Sequence, residues 1–162
     1  MHSKARHIRL EKCAYNSCFI LPDVLEKCLS SSKANLINNP SCTILGTTLD
    51  VGRITNELNL EIKEYWPQMF KTSTNIGHFL CDYIYLKSLD IDKDRVLFIH
   101  VPPVDCPFSS DDTMNAVLAV IQKSIVQLME KKLIISNEIP NNNDGKENTT
   151  ETIENSGSSD II

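Results

Sequence analysis

Between Arg95 and Pro102 runs Val96-Leu97-Phe98-Ile99-His100-Val101, a short, almost unbroken apolar stretch closed by Pro102-Pro103. A half-buried strand alternates apolar with polar residues, whereas a run apolar throughout needs cover on both faces, as in parallel sheets flanked by helices. The stretch predicts a fully buried strand of the parallel kind. The segments around it fit one layered α/β domain with a mainly parallel sheet. His7 to Leu10 reads as the end of a strand, and Met69 to Ser73 as a second short one. Asp50 to Asn59 reads as a short helix with Val51, Ile54 and Leu58 at helical spacing. Ser109 or Ser110 caps a long final helix whose first turn carries Asp111 and Asp112 and whose apolar face is Met114, Val117, Leu118, Ile121, Ile125 and Leu128.

Charge is unevenly distributed. Residues 136–162 hold six of the 21 acidic residues and one of the 16 basic ones, leaving residues 1–135 balanced at fifteen of each. The division predicted is a folded domain over 1–135 and a disordered acidic tail over 136–162, too polar to bury a core. A neutral domain offers no basic stripe for nucleic acid, and no stretch is long and apolar enough to span a membrane. No apolar signal-type run follows the basic start, so a cytoplasmic protein is expected, and Asn148-Thr149-Thr150 should stay unglycosylated. The six cysteines, at 13, 18, 28, 42, 81 and 106, then read as reduced thiols. Their spacing contains no zinc knuckle, so a metal site is not expected. Ser17 to Thr43, with Ser30-Ser31-Ser32 and Asn38-Asn39-Pro40, has no periodicity and reads as a long surface loop.

Three residues could carry chemistry. Cys81 follows a strand-to-helix turn in which Asn75 can cap and Gly77 permits close backbone approach; the helix after it, through Phe79, Leu80, Tyr83, Ile84, Tyr85 and Leu89, should be largely buried with its start facing a cleft. A thiol there lies near fixed peptide dipoles, although a free cysteine equally serves as a small buried hydrophobe. Glu11, taken alone, reads as a solvated surface carboxylate. His100 is either a core histidine bonded to backbone or, at the carboxyl end of its strand, part of a site. Glu11 and Cys81 also follow strands, so the three converge on one sheet edge.

The string Ser73-Thr74-Asn75-Ile76-Gly77-His78-Phe79-Leu80-Cys81-Asp82 resembles the cysteine motif of the pyroglutamyl-peptidase I family, usually Ser-x-Asp-Ala-Gly-x-Tyr/Phe-Leu/Val-Cys-Asn/Asp. Asn75 and Ile76 depart from it. Leu10-Glu11-Lys12-Cys13-Ala14-Tyr15-Asn16 is similar to the family's Glu-x-x-Ala/Gly-x-Asn, and Phe98-Ile99-His100-Val101-Pro102 to its Phe-x-His-Val/Leu-Pro. The order Glu, Cys, His is also the family's, and the resemblance covers residues 5 to 132. It implies a cofactor-free cysteine exopeptidase, a hydrolase that removes an N-terminal pyroglutamyl residue from peptides. Cys81 would be the nucleophile, His100 the general base and Glu11 the residue that orients the imidazole. Cys13 has no role in that comparison.

Phe19-Ile20-Leu21-Pro22-Asp23 resembles the family's Ala-Arg-Ile-Pro-Asp, with Ile20 where an arginine thought to assist the oxyanion is usual. The family's first strands and its Gly-Phe-Gly-Pro-Phe type turn, which walls the ring pocket, would lie upstream of Met1. The resemblance thus implies an α/β/α fold lacking those N-terminal strands, a poor catalyst, and sheet edges bare enough for homo-oligomers to form. The alternative is a non-catalytic relative that binds a partner, or a gene fragment.

Overall fold

The computed structural model describes residues 6–16, 25–27, 44–77 and 80–138. Ile20, the cysteines at 18, 28 and 42, most of the loop read over 17–43, and the tail beyond 138 lie outside the described residues. Among the described residues, five strands and three helices follow in order: β1 (Ile8–Glu11), β2 (Cys13–Tyr15), β3 (Ile44–Gly46), α1 (Val51–Glu61), β4 (Phe70–Ser73), α2 (Leu80–Asp92), β5 (Phe98–His100) and α3 (Ser110–Glu138). α3 therefore extends three residues past the boundary drawn at 135. β2 and β3 were not expected, since three residues each are too few to show alternation.

β1 is the middle strand of a three-stranded sheet ordered β4-β1-β5. β4 runs parallel to it, with Ile8 opposite Phe70 and Glu11 opposite Ser73. β5 runs antiparallel, with Arg9 opposite His100 and Glu11 opposite Phe98. β2 and β3 form a separate antiparallel pair.

The fold is mixed α/β, and period-two alternation along β1 sorts it into layers. Ile8 and Leu10 face a core built with Val51, Ile54 and Leu58 of α1, Met69 and Phe70, Phe108, and Ala116 and Val120 of α3. On the other side Tyr85, Leu86 and Leu89 of α2 pack with Ala14 and Ile76 in a second core. Leu97 and Ile99 pack on the first core, Val96 and Phe98 on the second.

That double packing explains the apolar run at 96–101 and corrects one reading of it. Both faces are covered as expected, but β5 is antiparallel, three residues long and half-buried rather than fully buried and parallel. An unbroken apolar run reports cover on two faces and carries no information about strand direction; antiparallel edge strands on otherwise parallel sheets are common.

α1 is fastened at both ends. Asp50 caps it by accepting from the Arg53 N–H at 2.9 Å. Buried Gln127 of α3 accepts from the Asp50 N–H at 2.9 Å and donates to its carbonyl at 3.1 Å. Arg53 spans to Glu130 through two hydrogen bonds. At its other end, Asn59 pairs with both backbone polar groups of Phe70, at 2.9 and 3.0 Å.

These polar clamps select the inward side of α3 and overturn the face read from hydropathy. Ala116, Val120 and Gln127 are buried, while Met114, Leu118, Ile121 and Ile125 are 45–56% exposed. The helix is apolar on more than one side, so spacing alone could not choose between them.

Candidate active site

Glu11 ends β1 on the face opposite Ile8 and Leu10. Its strand neighbour Phe98 packs against Tyr85 of α2, ring centroids 5.5 Å apart. Antiparallel register makes His100 the diagonal neighbour of Glu11 on that same face, two residues beyond its direct partner Phe98. His100 Nδ1 lies 2.8 Å from Glu11 Oε1. A carboxylate only accepts, so Nδ1 carries the hydrogen and Nε2 is left as the acceptor. Glu11 has no solvent exposure, whereas the His100 side chain keeps 23%. Phe98 stacks edge-on against the imidazole at 5.0 Å and limits its rotation.

Two further groups hold Glu11. The phenol of buried Tyr85 donates to the Glu11 carbonyl at 2.9 Å. Burial pushes that phenol well above its ordinary value, so it remains a donor. Arg9, two positions earlier on the same strand face, places Nε 3.7 Å from Glu11 Oε1.

Cys81 comes from the parallel side of the sheet. β4 ends beside Glu11, and the ladder continues as the Lys12 N–H donates to the Ser73 carbonyl at 2.7 Å. The Asn75 N–H then donates to Ser73 Oγ, and the Gly77 N–H to Asn75 Oδ1 at 3.2 Å. Gly77 adopts φ 87°, a conformation that disfavours any side chain. α2 starts three residues later, with Cys81 second in it, half-buried and packed on the core shared with Phe98. Asn75 thus shapes the turn rather than capping α2 directly. Asp82 beside Cys81 is fully buried and accepts from the Tyr15 N–H at 2.8 Å, tying α2 to β2.

The structure brings Glu11 and His100 into contact and puts Cys81 on their side of the sheet, without a Cys81–His100 hydrogen bond among the described residues. Glu11 is no surface carboxylate, and His100 bonds a carboxylate rather than backbone. β1 and β4 end side by side, at Glu11 and Ser73, whereas β5 runs the other way, so the carboxyl end that carries His100 lies opposite Arg9. Arg9, Asp82 and Tyr85 were missed as neighbours of the pair. Alternation along β1 could have found Arg9, since residues two apart share a face.

The second thiol in the neighbourhood differs in character. Cys13 donates to the Thr74 carbonyl at 3.7 Å. Burial, and then the charges of Glu11 and Asp82, push its pKa up against a lowering contact from Tyr15, so it stays a thiol. Cys13, Cys81 and Cys106 are all free. No group of three potential ligands suited to a metal ion occurs among the described residues. A cavity of about 150 Å³ lined by Lys12, Thr47, Leu49, Asp50, Val51 and Gly52 includes none of the three candidate residues.

No protein-family model matches the chain. Among curated proteins it is similar to pyroglutamyl-peptidase 1 of Rattus norvegicus, 28% identical over 123 residues, which is 75% of this chain and 55% of the relative. The Homo sapiens protein of the same name is 28% identical over 129 residues, covering 78% and 57%. The chain is thus similar to pyroglutamyl-peptidase 1 over three quarters of its length. It spans a little over half the length of these relatives.

Solved structures of the family share the fold. Pyrrolidone carboxyl peptidase from Pyrococcus furiosus superposes with a TM-score of 0.60 at 21% identity, over 76% of this chain and 65% of that one. The pyroglutamyl peptidase I of Bacillus amyloliquefaciens gives 0.57 at 20% identity, over 74% and 60%. Both departures from the family's cysteine motif have a structural account here. Asn75 makes the Asx-type bond that the usual aspartate can also make. Ile76, where alanine is usual, is 5% exposed and fills the second core.

Proposed function

We propose that this chain is a thiol-dependent omega peptidase that releases an N-terminal pyroglutamyl residue from peptides. The observation that carries the reading is the 2.8 Å contact between His100 Nδ1 and a fully buried Glu11, on the face where α2 presents Cys81. Cys81 Sγ gives its proton to His100 Nε2 and adds to the carbonyl carbon that follows the pyroglutamyl ring. The carbon–nitrogen bond breaks as His100 returns the proton to the leaving amine, leaving a thioester. Water then adds, giving its proton to His100, and pyroglutamate departs as Cys81 recovers its hydrogen. Throughout, Glu11 holds Nδ1–H and stabilises the imidazolium. First-turn amides of α2, which lack intrahelical partners, are suited to receive the oxyanion.

Free thiols at 13, 81 and 106 suit a reducing compartment such as the cytoplasm. The balanced charge of residues 1–135 favours a peptide over nucleic acid. No helix among the described residues is long and apolar enough to cross a membrane. Residues 1–135 act as the catalytic domain, 136–162 as an acidic extension, and exposed apolar surface leaves room for self-association.

Hydrolysis of a pyroglutamyl-amide reporter tests the reading, with Cys81→Ser and His100→Ala as controls. A slow release lost in both variants is expected. Release that survives Cys81→Ser, or no release with Cys81 intact and the protein folded, counts against it.

A further inference from the structure

Arg9 sits directly opposite His100 in the β1–β5 register and shares its face with Glu11. Its Nε is 3.7 Å from Glu11 Oε1, the oxygen that also meets His100 Nδ1. Arg9 Nε and Glu11 Oε2 are both buried side-chain atoms without a hydrogen-bond partner. A partly buried cation this close to a fully buried carboxylate is suited to a charge-assisted interaction with the same oxygen that His100 meets.

We propose that Arg9 is a positioning residue that clamps the buried Glu11 carboxylate with Oε1 aimed at His100 Nδ1. Its effect on turnover rests on the peptidase reading above; its effect on the imidazole does not. Arg9 neither touches substrate nor moves a proton. By fixing the carboxylate it fixes which imidazole nitrogen carries hydrogen, and so keeps Nε2 free to accept from a thiol. The guanidinium does this through its fixed donor fork, and a lysine ammonium can do it in part as a point charge. Arg9 is 31% exposed at its side chain, so its stem can be replaced without opening the core.

The test uses the full chain with Arg9→Gln, Arg9→Lys and Arg9→Met, the last keeping an apolar stem should the Gln variant fold poorly. Nitrogen-15 shifts of the His100 imidazole report its tautomer, thermal midpoints report folding, and the pyroglutamyl reporter gives kcat and KM. Expected for Gln and Met are mixed His100 tautomers and a kcat about tenfold lower, with KM within about twofold and the midpoint little changed. Arg9→Lys should recover the Nδ1–H tautomer and most of the rate. An unaltered tautomer in both Gln and Met variants overturns the proposal, as does an equal loss in all three that tracks the thermal midpoint. A wild type that hydrolyses nothing yet loses its tautomer in Arg9→Gln sinks the peptidase reading while supporting the clamp.

Discussion

A glutamate without solvent exposure must be compensated, and at Glu11 the compensation is divided among His100 on one oxygen, Arg9 alongside, and Tyr85 on the backbone carbonyl. Tyr85→Phe removes only the last. It should cost about 1 kcal/mol in urea unfolding and lower reporter turnover, because the β1 end that carries Glu11 loses its tie to α2. The two neighbouring thiols should also separate chemically. Cys13 has its pKa pushed above the ordinary 9.0 by burial, so it should resist alkylation at neutral pH, and the proposed nucleophile Cys81 should be alkylated ahead of it. A raised folded-state value means the folded chain holds that proton more tightly. The resulting stability is present below about pH 9 and is lost as pH rises through the folded value. Denaturation midpoints should therefore fall from about pH 9 upward, and Cys13→Ala should flatten that fall.

Elements deliver these residues, and the turn before α2 is the most exacting. Gly77 at φ 87° lets the chain leave β4 and re-enter as a helix beside Glu11. Gly77→Ala should destabilise by roughly 1 kcal/mol or more and slow Cys81 alkylation, since the strain falls on the segment that sets the start of α2. That turn was legible in the sequence because Asn and Gly have specific backbone uses. β4 and α1 were legible for similar local reasons. The direction of β5 was not, because Val96 to Val101 records packing on two sides and nothing about polarity. Nor was the inward face of α3. There the deciding contacts are polar and distant in sequence, Gln127 with Asp50 and Glu130 with Arg53, and no periodicity encodes them. Gln127→Ala should test this by exposing Asp50 and loosening α1 from α3, at about 1–3 kcal/mol.

At the scale of the molecule, one face of the small sheet packs into an apolar core and the other carries the polar Glu11–His100 pair. α1 and α3 bury Ile8 and Leu10, while on the other face α2 packs against Phe98 and ties down the Glu11 carbonyl through Tyr85. The pairing of Glu11 with His100 was readable through motifs, yet the geometric reason for it was not. His100 arrives by a diagonal across an antiparallel pair, while Glu11 and Cys81 arrive from parallel strands ending together. We propose that Cys81 attacks the carbonyl that follows a pyroglutamyl ring. The direct measurement is peptide-mapped mass spectrometry after treatment with a pyroglutamyl chloromethyl ketone. One adduct on Cys81, slowed by free pyroglutamate and by His100→Ala, is the expected result. Modification spread over Cys13 and Cys106 with Cys81 spared in folded protein would contradict it.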